Sequence, residues 1–168
     1  PYTHHPASPW RGEGHIFERM RAVLASAGID DVPALPVLPA DPATVARVAA
    51  WRASHGLEGR RYVLLHAGAS ARRPEKIWPH FDALAERLTA CGLAVVWLGG
   101  DEDRALNAAH ARHCGIDASG ALSLVELAEL GRHAAFAVTN DSAPMHVLAA
   151  AGIPVFGLFG PSDWRRTH

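Results

Sequence analysis

The run Ala134-Ala135-Phe136-Ala137-Val138-Thr139-Asn140-Asp141-Ser142-Ala143-Pro144-Met145-His146 decides how this 168-residue chain reads. Residues 134–138 are short and apolar, as a strand buried on both faces requires. Residues 139–142 are a polar turn. Residues 143–151 are small and mostly apolar, and they predict a short helix. Such a segment brings a carboxylate, a hydroxyl and an imidazole (Asp141, Ser142, His146) to a helix start. There the unpaired N–H groups bind oxygen atoms, anionic ones above all. The plainer alternative makes Asp141 or Ser142 an N-cap and leaves His146 to packing. This stretch alone does not choose between them.

Outward from it the pattern repeats. Residues 62–66 (YVLLH) are a second continuous apolar run, 93–98 a third and 154–159 (PVFGLF) a fourth. Amphipathic stretches lie between them. Residues 79–91 carry Phe81, Leu84, Leu88 and Cys91 on one side and stop at Gly92; residues 102–113 end before Gly115. Residues 124–133 open on Ser123-x-x-Glu126, a capping box. Alternating strands and helices predict an α/β fold, a Rossmann-like parallel sheet with helices on both faces. In such sheets ligands sit at the carboxyl ends of the strands. The polar turns 67–76, 99–102, 139–142 and 159–163 all follow strands, so they are expected along one edge.

Upstream, residues 1–14 hold three prolines, two glycines and no periodicity, and read as an arm. Residues 15–27 have helical spacing. Residues 29–42 hold four prolines and read as an extended connector, with a short strand at 34–38. Asp41-Pro42 is an N-cap followed by a first-position proline, opening a helix to about residue 55. The predicted organisation is an arm with linker helices over 1–58 and a ligand-binding domain over 59–168.

Composition narrows the class. Hydrophobic residues make up 49% and charged residues 20%, with a formal net charge of -1. That balance fits a globular domain and argues against a nucleic-acid surface or a polybasic membrane patch. No apolar run approaches the roughly 18–20 residues that span a bilayer, and no signal-peptide pattern is visible. Cys91 and Cys114 lack metal-binding spacing, which fits a reducing, cytoplasmic compartment. The chain opens on Pro1 rather than Met, so a piece of a longer protein is expected.

Lys76 is the sole lysine among 16 basic residues; the rest are Arg. With Gly68, Ala69 and Ser70 it occupies the first post-strand loop. Small residues allow close backbone approach, Ser70 offers a hydroxyl and Lys76 a compact ammonium. A diphosphate suits that set, although the loop is not a Walker sequence. Arg72 and Arg73 could add positive field to this loop, but are expected to face solvent. Gly99-Gly100-Asp101-Glu102 lacks the dinucleotide glycine fingerprint. Asp101 is expected to cap the next helix, and Glu102 could hold the hydroxyls of a ribose. His66 ends a strand and could line the same cleft.

The order HAGAS…K-x-W-P, a strand with GG and acidic residues, an S-L-x-E-L helix, NDSAPMH and PVFGLFGPS resembles the C-terminal half of glycosyltransferase family 9, the ADP-heptose:lipopolysaccharide heptosyltransferases of bacteria. The resemblance spans about residues 60–163. It implies one half of a GT-B glycosyltransferase, the half that binds the nucleotide-sugar donor. It implies heptose transfer to a lipopolysaccharide inner-core sugar with inversion, with no cofactor and no essential metal. The general base and the acceptor site would belong to the other, N-terminal domain, leaving this piece inactive alone. Peripheral association of the parent protein with the inner face of the bacterial inner membrane is compatible with that role. By position, Ser70 and Lys76 would take the diphosphate and Glu102 the ribose. The backbone near Leu122 would border the adenine, and Asp141, Ser142 and His146 would address the sugar and its phosphate. One departure stands out: the family usually has Gly where this chain has Ala143, and Gly permits positive φ or close ligand approach. Two other functions fit a Rossmann-like fold. One is a non-catalytic nucleotide-binding or interaction module; the other is a dinucleotide-dependent oxidoreductase, which the missing fingerprint disfavours.

Overall fold

A computed structural model describes residues 15–33, 36–70 and 72–166. The expected arm at 1–14 and part of the expected strand at 34–38 lie outside the described residues; residues 36–38 are not in a strand. Packing divides the chain into two compact units, residues 1–36 with 161–168, and residues 37–160. The first contains helix α1 (Ile16–Ala25), capped by the His15 ring, which accepts from the Phe17 N–H.

The second unit holds the sheet. Its elements run α2 (Pro42–Ser54), β1 (Tyr62–His66), α3 (Phe81–Ala90), β2 (Ala94–Trp97), α4 (Arg104–His113), β3 (Ile116–Asp117), α5 (Leu124–Arg132), β4 (Phe136–Asn140), α6 (Ala143–Ala150) and β5 (Val155–Leu158). All strand pairs are parallel, in the order β3-β2-β1-β4-β5. This is the Rossmann order, and the direction of winding reverses between β1 and β4. The expected α/β class holds. The expected strand at residues 134–138 begins two residues later and takes in Thr139 and Asn140.

Successive residues of β1, β2 and β4 feed opposite cores. Tyr62, Leu64, Val96 and Ala137 pack with Val48, Leu127, Leu130 and Leu148 from α2, α5 and α6. Val63, Leu65, Val95, Trp97 and Val138 pack with Phe81 and Ala85 of α3. The apolar strand sequences follow from this two-sided burial. Two-residue β3 was not anticipated, because so short a strand has no period to detect. It sits against β2, where the Trp97 indole N–H donates to the Cys114 carbonyl at 2.8 Å. Gly92, at φ 82°, stops α3 in a left-handed conformation that a side chain resists.

The predicted caps are present. Asp41 accepts from the Thr44 N–H at 2.6 Å, and Ser123 and Glu126 bond reciprocally. Arg47 of α2 also grips Glu126 of α5 at 2.7 Å. The Arg47 hydrogen bond, aided by the Ser123 N–H, holds the Glu126 carboxyl down at about 2.

Tyr62 ties the sheet to α5, its hydroxyl donating to the buried Leu130 carbonyl at 2.7 Å. Burial pushes its phenol up to about 12. A group raised on folding stabilises fully below its unfolded pKa and loses that contribution as pH climbs through the folded value. The loss therefore falls between about pH 10 and 12. Tyr62→Phe should cost about 1–2 kcal/mol at neutral pH, by stranding the carbonyl. It should also flatten the alkaline decline. Urea denaturation at neutral and alkaline pH measures both effects.

Candidate functional site

A cleft of about 390 Å³ opens at the carboxyl ends of β1, β2 and β4. Its lining includes Ser70, Lys76, Glu102, Asp141 and Ser142, from three separate post-strand loops. It therefore occupies the crevice where the sheet's winding reverses. Gly160, after β5, lies beside the Glu75 carbonyl, so the fourth loop also approaches the loop after β1.

Lys76 reaches across that crevice. Its ammonium donates to the Asp141 carboxylate at 2.6 Å and lies 3.5 Å from the Asp141 carbonyl. Both side chains are largely shielded, at 17% and 10% exposure. The sole lysine is thus neutralised by an internal carboxylate. Arg73, expected to face solvent, is exposed yet lines the cleft, and it pairs with Glu75. Against these cations stand Glu102, Asp103 and Asp141, so the lining is mixed in sign rather than simply cationic.

Asn140 fixes the crevice. It is fully buried at the end of β4, and its amide donates to the Ala67 carbonyl at 2.8 Å and the Gly68 carbonyl at 3.1 Å. Its side-chain oxygen accepts from the Trp78 N–H at 3.2 Å. One amide therefore anchors both ends of the Lys76 loop to β4. Reading Asn140 as part of a polar turn had concealed this role.

Asp103 was also missed. The sequence reading gave the helix cap to Asp101, but a 3₁₀ turn over Asp101–Asp103 delays α4 by two residues. Asp101 instead pairs with Arg104 on the surface, and Asp103 accepts from the Gly100 N–H at 3.1 Å. Asp103 lies 3.6 Å from the His66 Nε2, and the Ser142 hydroxyl lies 3.0 Å from the His66 Nδ1. Burial works to raise the Asp103 carboxyl. The nearby His66 imidazole, with the Gly100 N–H, outweighs it and holds the carboxyl below its ordinary value.

Ser142 occupies the N-cap position of α6, but its side chain makes no capping bond. Pro144 removes one first-turn donor and the Met145 N–H bonds back to Ser142. Ala143 lines the cleft with ordinary backbone geometry, since no described non-glycine residue has positive φ. The conformational reason for Gly at that position does not apply here. Leu122 and His146 fall outside the cleft's lining. Leu122 is half-buried against the first core, and His146 is exposed on α6.

Residues 3–168 match the profile of glycosyltransferase family 9 (heptosyltransferase). The chain belongs to glycosyltransferase family 9. Among curated family 9 relatives, it is 32% identical over 116 residues to lipooligosaccharide heptosyltransferase 2 of Haemophilus influenzae, covering 64% of this chain and 34% of that protein. Among solved structures, a family 9 glycosyl transferase from Veillonella parvula superposes with a TM-score of 0.85 at 26% identity, over 95% of this chain and 47% of the other. Escherichia coli ADP-heptose LPS heptosyltransferase II gives 0.74 at 25% identity, over 91% and 50%. The chain thus spans a third to a half of the length of these family 9 proteins. Its sheet matches one part of their GT-B fold. Among the described residues, no helix is long and apolar enough to cross a membrane.

Proposed function

We propose that residues 59–168 form the donor-binding half of a transferase that moves heptose from an ADP-heptose-like donor to a lipopolysaccharide inner-core sugar, with inversion. The observation that carries this reading is the Lys76–Asp141 pair across the crevice between β1 and β4. Charge grows on the leaving diphosphate as the glycosidic bond breaks, and a preformed ammonium and hydroxyls can meet it. Lys76 and Ser70 are assigned to the diphosphate and Glu102 to the ribose. The backbone near Leu122 would border the adenine. Asp141, released from Lys76 by the incoming phosphates, would accept from sugar hydroxyls, with Ser142 and His146 nearby. The acceptor and general base would come from the other half of a GT-B enzyme. The chain by itself is then expected to bind donor without transferring it. Such an enzyme would act in the cytoplasm, at the inner face of the inner membrane.

Calorimetric titration tests this reading. ADP should bind more tightly than UDP or GDP; binding of none of them would overturn it. Asp141→Ala should separate two ligands. Freed of its internal partner, Lys76 should bind ADP as well or several-fold better, while affinity for the ADP-sugar falls. Parallel losses for both ligands would remove Asp141 from the sugar.

A further inference from the structure

Asp103 occupies a place built for it. A Cβ on Gly68, after β1, would overlap the Asp103 carboxylate, and a Cβ on Gly99, after β2, would sit 2.5 Å from the Asp103 Cβ. Two loops thus leave room for one carboxylate, and its side-chain partner is His66, which is itself only 4% exposed. The far nitrogen of that imidazole meets the Ser142 hydroxyl, whose oxygen also lies 3.3 Å from the Asn140 carbonyl.

This geometry has two hydrogen-bond arrangements. With Asp103 ionised, the His66 Nε2 carries a proton toward it. If Nδ1 is bare, the Ser142 hydroxyl must donate to it and turns only lone pairs toward the cleft. If Nδ1 is protonated, it donates to Ser142, and the hydroxyl proton is free for the Asn140 carbonyl or a ligand oxygen. An anion favours the second arrangement twice over, through a donor hydroxyl and a nearby positive charge.

The surrounding charges point the same way. The loop after β1 supplies Lys76 and Arg73, which pair with Asp141 and Glu75. The loop after β2 supplies Glu102 and Asp103, and the turn after β4 supplies Asp141. A diphosphate entering this lining brings further negative charge, and histidine is the side chain that gains a proton most readily near neutral pH.

We propose that Asp103 and His66 are positioning residues that present the Ser142 hydroxyl to the diphosphate, and that nucleoside diphosphate binding takes up a proton on His66. The inference rests on the donor-site reading above. The proton comes from the buffer, and no bond between heavy atoms forms or breaks. Ser142 touches the ligand, while His66 and Asp103 act through it.

The test is calorimetric titration of the 168-residue chain with ADP at about pH 8, where the free phosphate is already almost fully ionised. Titrations in HEPES and in Tris, whose ionisation enthalpies differ, report proton exchange directly. The apparent enthalpies should differ by the amount that corresponds to uptake of about half to one proton, and ADP affinity should fall as pH rises further. Asp103→Asn, which keeps the bond from Gly100, and His66→Asn should each abolish the difference and weaken ADP roughly tenfold. A merely structural role would weaken binding in the variants with no buffer dependence in the unaltered protein. Equal enthalpies in the two buffers would overturn the inference and leave ADP binding intact. Absence of any ADP binding would overturn both it and the donor-site reading.

Discussion

Replacing Lys76 with alanine should weaken ADP binding more than tenfold in calorimetry. Two effects act together. The ammonium that would face the diphosphate is lost, and Asp141 loses the partner 2.6 Å away that neutralises it. A carboxylate only 10% exposed would then face the incoming phosphates without its lysine. Removing one member of a shielded pair is costly mainly because of the charge left behind. The double substitution of Lys76 and Asp141 to alanine should therefore bind ADP better than Lys76→Ala alone. Unchanged affinity in the single variant would remove Lys76 from the site.

The second large effect is on stability. Asn140→Ala removes three hydrogen bonds made by one fully buried amide, to Ala67, Gly68 and Trp78. At roughly 1 kcal/mol each, with two carbonyls left stranded, the loss should be about 3 kcal/mol or more in urea denaturation. Asn140→Asp keeps the shape and the acceptor for Trp78 but sets a carboxylate against two carbonyl oxygens. Its deficit should be at least as large at neutral pH and should shrink in acid, where the protonated carboxyl can donate once more. If Asn140→Ala unfolds like the unaltered protein, the loop after β1 is not held by these bonds.

The centre of the sheet was legible because β1, β2 and β4 are buried on both faces and so read as unbroken apolar runs, with β1 recovered at its observed bounds. The capping residues Asp41 and Ser123 were legible because a cap is a local arrangement. Lys76 was visible through its rarity in an arginine-rich chain. What escaped the reading were relations between loops. Asn140 bonds to residues more than 70 positions earlier in the chain, which no window of sequence reveals. Asp101 does not cap α4 because a 3₁₀ turn, without a periodic signature, delays the helix, and Asp103, at the N-cap position, turns its carboxylate back to the Gly100 N–H instead. Ser142 and His146 were expected to address one ligand together from the start of a helix. Ser142 precedes α6 rather than belonging to it, however, and its side chain turns back to His66.

The seat of Asp103 between Gly68 and Gly99 ties three positions to a single volume. Neither glycine has a positive φ, so the demand for a bare α-carbon comes from a neighbour and not from backbone conformation. Substitution tolerance at 68 is therefore decided at 103, and at 99 by the Asp103 Cβ together with the Asn107 amide. A lineage that shortened the Asp103 side chain could acquire a methyl group at 68, while 99 would stay closed as long as position 103 kept a Cβ and Asn107 its amide. Positions 68 and 103 should drift together or not at all, so a glycine that looks like a generic loop residue marks the footprint of a distant acid.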